Sequence, residues 1–199
     1  MDTRTAILNA AVQVFSQHGF RGSTTRRIAD AAEVNEVTIF RYFGSKEALL
    51  QEAINLSGAS AFANPLPADP VNPEKELADW CSAVISHLKS RSPVIRKCMG
   101  EMEERPELTA RAADAPTRAT NELCTYFKRL KSLGYTGDDF EPTVASSMLI
   151  AALFHDAMSH EMMPDIFPKP ADAAPAMYAH FVLKAIGVGR SAAVSPTQS

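Results

Sequence analysis

The sequence lacks the features that mark several large classes of protein. Its three cysteines, Cys81, Cys98 and Cys124, are odd in number and widely spaced, which fits neither a disulfide framework nor a zinc motif. The longest nearly apolar run, residues 144–154, is far shorter than the roughly 20 residues of a membrane-spanning helix. The first residues contain no basic segment followed by a long apolar stretch, so no signal peptide is expected. We therefore expect a cytoplasmic protein that does not bind a membrane.

Motifs of catalysis are missing as well. The chain has no glycine-rich phosphate loop, nucleophile elbow, His-Glu-x-x-His sequence or paired cysteine motif. His155 and His160 stand five residues apart, whereas two metal ligands on one helix face need a spacing of three or four. We therefore expect no metal, no cofactor and no enzymatic activity. A helical enzyme with an unrecognised site is kept as an alternative.

The net charge of −3 argues at first against a nucleic-acid-binding protein. The charge is unevenly distributed, however. Residues 1–50 hold six basic and five acidic residues, a net charge of +1, and the remaining fourteen basic and eighteen acidic residues give −4. A modest basic surface on an acidic body suits a protein that reads a DNA sequence better than one that coats DNA. Apolar residues make up 46% of the chain, enough for a sizeable core.

Apolar residues recur with a helical period, and no strand-like alternation is present, so the sequence predicts an all-α fold. The first helix is expected over residues 3–18 and is closed by Gly19. Its apolar face consists of Ile7, Leu8, Ala11, Val14 and Phe15.

Residues 24–50 contain three helix starts within a short stretch. Thr24 or Thr25 is placed to cap a second helix, Asn35 a third and Ser45 a fourth. Two short helices joined by a tight turn form the helix-turn-helix unit, whose second helix enters the DNA major groove. Because short helices are unstable alone, these two are expected to pack on the first helix.

The rest of the chain predicts a larger helical domain. Prolines 65, 67 and 70 mark a loop, after which further helices are expected, one of them starting at Ser92-Pro93. The last two, helices 8 and 9 of the prediction, cover residues 143–162 and 171–186. The expected organisation is about nine helices: a helix-turn-helix domain over 1–46, a regulatory and dimerisation domain over 47–187, and a disordered tail over 188–199.

Residues 6–50 resemble the DNA-binding domain of TetR-type transcriptional repressors. The resemblance rests on Phe15, Gly19-Phe20, Thr24-Thr25, Ile28-Ala29, Val34 and above all the string TIFRYFGSKEALL from Thr38 to Leu50. It covers about a quarter of the chain and implies a protein that binds double-stranded DNA as a homodimer.

The resemblance also implies roles for individual residues. Amides and side chains at the start of the second helix would meet phosphates, and the third helix would meet base edges. Tyr42 and Lys46 match positions that hold phosphates. The implied DNA-binding residues are Thr24, Thr25, Arg26, Arg27, Asn35, Glu36, Val37, Thr38, Arg41, Tyr42 and Lys46.

The sequence departs from the family pattern at four positions. Glu33 stands where glycine is usual, and it would be strained if that turn needs a positive φ. Phe40 replaces a common tyrosine, and Val37 replaces a small residue. Glu36 brings a negative charge to the DNA, where it would either accept from a cytosine amino group or repel the backbone.

The family binds a small effector in the larger domain and dimerises through its last two helices. The resemblance therefore implies homodimerisation through helices 8 and 9, and release from a pseudo-palindromic operator by a small apolar or amphipathic molecule. Aromatic and adaptable side chains that are candidates for the pocket are Trp80, Cys98, Met99, Met102, Phe127, Phe154, His155 and Met158. A constitutive architectural DNA-binding protein without an inducer is the other alternative.

Overall fold

The computed structural model describes residues 2–59, 65–106, 114–137 and 139–189. Within these ranges the chain forms eight α-helices, one short 3-10 helix (Pro164–Ile166) and no strand. The α-helices are α1 Thr3–Gly22, α2 Thr25–Ala31, α3 Glu36–Phe43, α4 Lys46–Ala59, α5 Pro73–Glu101, α6 Asp114–Ser132, α7 Pro142–Ser159 and α8 Ala174–Ala185. The all-α prediction is confirmed, and the eight helices are close to the nine expected. None of them is long and apolar enough to span a membrane. Most of the predicted tail, from residue 190 onward, lies outside the described residues.

The chain forms two compact units. The first unit consists of Met1–Ala61 together with Lys89–Pro116, and the second consists of Phe62–Leu88 together with Thr117–Ser199. Helix α5 therefore contributes its first half to the second unit and its second half to the first.

The core of the first unit is built on the predicted apolar face of α1, which is buried throughout. Ile28 of α2 and Ile39 of α3 are completely buried in the same cluster. Leu49 and Leu50 close the cluster from α4. The second half of α5 adds two further buried side chains, Val94 and Cys98. The two short helices thus obtain from α1 and its neighbours the apolar contacts that they cannot make alone.

The caps predicted for α2, α3 and α4 are confirmed, and of the two threonines considered for α2 it is Thr24 that caps the helix. The Thr24 hydroxyl accepts a hydrogen bond from the amide of Arg27 at 3.2 Å. The Asn35 side chain accepts one from the amide of Val37 at 3.0 Å, and the Ser45 hydroxyl accepts one from the amide of Ala48 at 3.1 Å. Each cap satisfies one of the amides that a helix start leaves unpaired.

The second unit has its own core, formed by α6, α7, α8 and the first half of α5. Trp80 lies in this core, and its indole N–H donates to Oε1 of Glu122 at 3.2 Å. The same carboxylate oxygen accepts from the amide of Leu66 at 2.7 Å, so Glu122 also fixes the loop that precedes α5. Asp156 is fully buried as well, and it accepts from the hydroxyl of Tyr178 at 3.0 Å. Burial and this hydrogen bond raise the pKa of Tyr178.

The prediction that a new helix starts at Pro93 is wrong. Helix α5 continues through Pro93 to Glu101. A proline inside a helix removes one backbone hydrogen bond and crowds the preceding turn. Here the turns that follow it bury Val94 and Cys98 in the core of the first unit, and we attribute the continuity of α5 to this packing.

Helix α2 ends in a tight motif that requires a left-handed residue. The amides of Glu33 and Val34 donate to the carbonyls of Asp30 and Ala29 at 3.3 and 3.0 Å, which is the Schellman pattern. Glu33 occupies the left-handed position with a φ of 55°. The same pattern ends α6 and α8, where the left-handed residues are glycines, Gly134 and Gly187. Glu33 is therefore strained, as expected if the turn needs a positive φ.

Replacing Glu33 by glycine should stabilise the protein. A left-handed conformation costs a residue with a Cβ roughly 1–2 kcal/mol, and part of this gain is offset by the greater freedom of glycine in the unfolded chain. We expect Glu33→Gly to raise the free energy of unfolding by about 1 kcal/mol in urea denaturation. Glu33→Ala removes the same charge but keeps the Cβ, so it should give no comparable gain. Equal stabilisation by both variants would show that charge, not backbone strain, is responsible.

Candidate nucleic-acid interface

Helix α3 is held to the protein by one side of its surface. Ile39 is its only fully buried residue, and the large side chains of Val37, Phe40 and Tyr42 are 70%, 49% and 40% exposed. Arg41 is exposed beside them, and its guanidinium lies 5.3 Å from the centre of the Tyr42 ring. An exposed helix of this size fits the major groove of DNA.

The exposed face of α3 combines apolar and cationic groups. Val37 and Phe40 are apolar side chains of the kind that contact thymine methyl groups. Arg41 has the paired N–H donors that recognise guanine. Thr38 is half-buried on the same helix. The structure thus places most of the predicted base-reading side chains on one accessible helix.

The start of α2 lies next to α3. The Thr25 hydroxyl donates to Oε1 of Glu36 at 2.5 Å, so two of the predicted DNA-binding residues bind each other. Arg27 is exposed, but its guanidinium donates to the carbonyl of Gly22 at 2.5 Å. Arg26 is exposed on the same helix. Asn35 and Thr24 serve as helix caps, a structural role that the sequence also predicts.

Lys46 is anchored within the first unit. Its ammonium group donates to the carbonyl of Phe20 at 3.1 Å and lies 3.9 Å from the centre of the Phe20 ring. The same ring carries the guanidinium of Arg105 at 3.8 Å, and the amide of Phe20 donates to Glu101 at 3.1 Å. The contacts of Glu101 and Arg105 with Phe20 could not be predicted from the sequence, because both residues lie more than 80 positions from Phe20 and belong to no local motif.

The candidate pocket residues are distributed over the two units. Cys98, Met99 and Met102 belong to the first unit, where Cys98 is buried and the two methionines are each 53% exposed. In the second unit, Trp80 and Phe127 share one buried cluster. Of the other candidates in this unit, Met158 is buried, Phe154 is half-buried and His155 is exposed. A shallow depression elsewhere on the second unit is lined by none of them, but by Asn72, Glu74, Lys75, Ala78, Ala176 and His180.

The two buried thiols, those of Cys81 and Cys98, are unreactive side chains of the core. Burial raises the pKa of Cys81 to about 12 and that of Cys98 to about 11, so both are protonated at neutral pH and are poor nucleophiles. Among the residues that the structure describes, no three His, Cys, Asp or Glu side chains are grouped to hold a metal ion.

Residues 7–53 match the sequence profile of the family described as bacterial regulatory proteins, tetR family. The uncharacterized HTH-type transcriptional regulator YvkB of Bacillus subtilis is 28% identical over 141 residues, 70% of this chain and 74% of YvkB. The HTH-type transcriptional repressor NicS of Pseudomonas putida is 42% identical over 80 residues, 39% of this chain and 37% of NicS. A crystal structure of a TetR-family regulator from Mesorhizobium loti superposes with a TM-score of 0.73 at 20% identity, covering 92% of this chain and 94% of that one. The chain carries the helix-turn-helix domain of the TetR family of transcriptional regulators.

Membership of this class settles the choice between binding protein and enzyme. TetR-type regulators are DNA-binding proteins without catalytic activity, so the helical enzyme is no longer an alternative. The part that matches the family profile contains α2, α3 and the three capping residues. Helix α3, which is expected to read the DNA, lies on the first of the two compact units.

The contact between Thr25 and Glu36 leads to a prediction about the acidic residue on the recognition helix. Since an oxygen of the Glu36 carboxylate already accepts from Thr25, we expect its charge to act mainly by repelling phosphates. Glu36→Gln keeps an acceptor for Thr25 and should tighten binding about threefold to tenfold on every operator variant, measured by fluorescence anisotropy at fixed salt. A loss confined to variants at one cytosine would show instead that Glu36 reads that base.

Proposed function

We propose that this chain is a ligand-responsive repressor that binds a pseudo-palindromic operator as a homodimer and acts in the cytoplasm. The observation that carries the proposal is the exposed α3, with Val37, Phe40 and Arg41 directed to solvent. The relative NicS is named a repressor, which supports repression over activation. The first unit would read the DNA, and the second would bind the effector and the partner subunit.

A single copy of α3 is too small to specify a site in a genome. The helix has eight residues, and a helix of this length would present only a few side chains to base edges. Two copies, placed about one helical turn of DNA apart, read twice as many bases and favour an inverted repeat. Specific binding of this kind would separate the protein from a constitutive architectural one, because few phosphate contacts give a shallow dependence of affinity on salt.

The last two helices carry exposed apolar side chains suited to a dimer contact. On α7, Val144 and Met148 are 55% and 64% exposed, and on α8, Met177 and Phe181 are 45% and 71% exposed. Each pair is four residues apart and so lies on one face of its helix. Exposed apolar patches of this kind mark protein interfaces. Helices α7 and α8 correspond to the two helices expected to form the dimer.

We place the effector in the helical core of the second unit. Trp80 and Phe127 are buried in this core, and Glu122 adds a polar group next to the indole. Such a mixture suits a small apolar or amphipathic molecule. For the molecule to release the operator it has to prefer the DNA-free form, by roughly 5.5 kcal/mol for a nearly complete switch. Helix α4 would transmit the movement, and a screen for compounds that release a bound duplex would identify the effector.

Selection of duplexes from a random pool at physiological salt tests the function. We expect an enriched inverted repeat. On that operator, Arg41→Ala should relax specificity at one base pair in each half-site and cost about 1–3 kcal/mol there, because a bidentate contact to guanine is lost. Lys46→Ala should weaken binding to a similar degree on all operator variants, because its contact is to a phosphate. No enrichment by a folded dimer would contradict the proposed function.

Introducing a charge at the exposed face of α8 should separate the subunits. Phe181→Glu buries a carboxylate in an apolar contact, so the dimer dissociation constant should rise by at least about tenfold in sedimentation equilibrium. Val71→Glu serves as the matched control, because Val71 is 83% exposed in the loop before α5. A dimer that tolerates Phe181→Glu as well as Val71→Glu would place the interface elsewhere.

A further inference from the structure

The carboxylate of Glu101, at the end of α5, contacts the corner between α1 and α2, which consists of residues 19–24. Oε1 of Glu101 accepts a hydrogen bond from the backbone amide of Phe20 at 3.1 Å. The two residues are 81 positions apart in the sequence, yet both belong to the first compact unit. A hydrogen bond to a charged acceptor is stronger than one between neutral groups, so this contact fixes the position of the corner.

Gly19 is required for this approach for two reasons. Its φ is 65°, in the region that favours glycine, and it interrupts the helical conformation of α1. A Cβ at this position would lie 2.9 Å from the Glu101 oxygen and would have to displace it. The corner is therefore shaped to admit the carboxylate of Glu101.

Phe20, which donates to Glu101, also binds the ammonium group of Lys46. The carbonyl of Phe20 accepts from the ammonium group of Lys46 at 3.1 Å, and the Phe20 ring lies 3.9 Å below it. Arg105 packs on the same ring and lies 3.9 Å from the second oxygen of Glu101. Glu101, Phe20 and Lys46 thus form a continuous series of contacts from α5 to the first turn of α4.

We propose that Glu101 is a positioning residue for DNA binding, which holds Phe20 so that Lys46 is presented to a phosphate. This inference rests on the proposed function. The ammonium group of a lysine has three N–H donors. Within the described part of the chain, Lys46 uses one of them on Phe20, which leaves two for phosphate oxygens. Because the lysine is fixed before DNA arrives, less side-chain freedom is lost on binding.

A positioning role and simple electrostatics predict opposite changes in DNA affinity when Glu101 is removed. Removing a carboxylate from a DNA-binding unit favours the approach of phosphates, so charge alone predicts that loss of Glu101 strengthens binding. Positioning predicts that it weakens binding. Glu104 provides a matched control three residues away, because it carries the same charge on the same segment and, among the residues that the structure describes, forms only an exposed ion pair with Arg21 at 3.6 Å.

The experiment measures the affinity of the full-length protein for its selected operator, and its dependence on salt, in Glu101→Ala, Glu101→Gln and Glu104→Ala. We expect Glu101→Ala to bind about tenfold more weakly and its salt slope to fall by about 0.9, the loss of one phosphate contact. Glu101→Gln keeps an acceptor for Phe20 and should stay within about threefold of wild type. Glu104→Ala should bind at least as tightly as wild type.

A double-mutant cycle with Lys46→Ala gives a readout that general destabilisation does not change. If Glu101 acts through Lys46, the double variant should bind no more weakly than Lys46→Ala alone. Additive losses, an unchanged salt slope in Glu101→Ala, or equal losses in Glu101→Gln and Glu101→Ala would overturn the proposal. Circular dichroism at the assay temperature checks that each variant is folded. Should Glu101→Ala not fold, Glu101→Gln decides: affinity and slope close to wild type uphold the proposal, and a tenfold loss overturns it.

Failure of the proposed function and failure of the positioning role of Glu101 give different experimental results. If the wild-type protein selects no operator, the proposed function is wrong. If it selects an operator and Glu101→Ala binds that operator as well as wild type does, the function stands and only the positioning role of Glu101 is wrong.

Discussion

Burial of Ile28 and Ile39 in one apolar cluster with α1 is the interaction on which the DNA-binding unit depends. Helices α2 and α3 have seven and eight residues, well below the ~12–15 residues at which an isolated helix becomes marginally stable in water. Full burial of an isoleucine side chain contributes about 1.5–3 kcal/mol. Side-chain caps add to this at each helix start. The reading helix therefore exists only as part of the packed unit, and its geometry is fixed by that packing.

This mode of attachment explains how α3 is free to meet DNA. With Ile39 as its only fully buried residue, the helix needs one side of its surface for stability and leaves the rest for recognition. Exposed apolar residues such as Val37 and Phe40 bring no stability in water, and they are reasonable on a surface that is covered when DNA binds. Phe40 keeps the aromatic ring of the tyrosine that is common at this position and lacks its hydroxyl group.

Local signals in the sequence were sufficient for much of the fold. Caps and helix periods depend on neighbours within a few residues, so Thr24, Asn35 and Ser45 could be interpreted directly. The continuation of α5 past Pro93 could not be predicted in this way. It accompanies the burial of Val94 and Cys98 in a cluster whose other members are distant in the sequence. For the same reason the contact of Glu101 with Phe20 could not be predicted from the sequence.

The arrangement of charges explains how an acidic protein can bind DNA. Counted over the structural units, twelve basic and eleven acidic residues give the first unit a net charge of +1, and eight basic and twelve acidic residues give the second −4. In the first unit, carboxylates have internal partners: Glu52 binds Arg4, and Glu101 binds the amide of Phe20. Lys46, by contrast, is anchored by a carbonyl and an aromatic ring, neither of which neutralises its charge. Since the field at a surface is set by its nearest uncompensated charges, a formal charge near zero is compatible with a cationic DNA-facing surface. The position of charges, more than their sum, determines which polyanion this unit can bind.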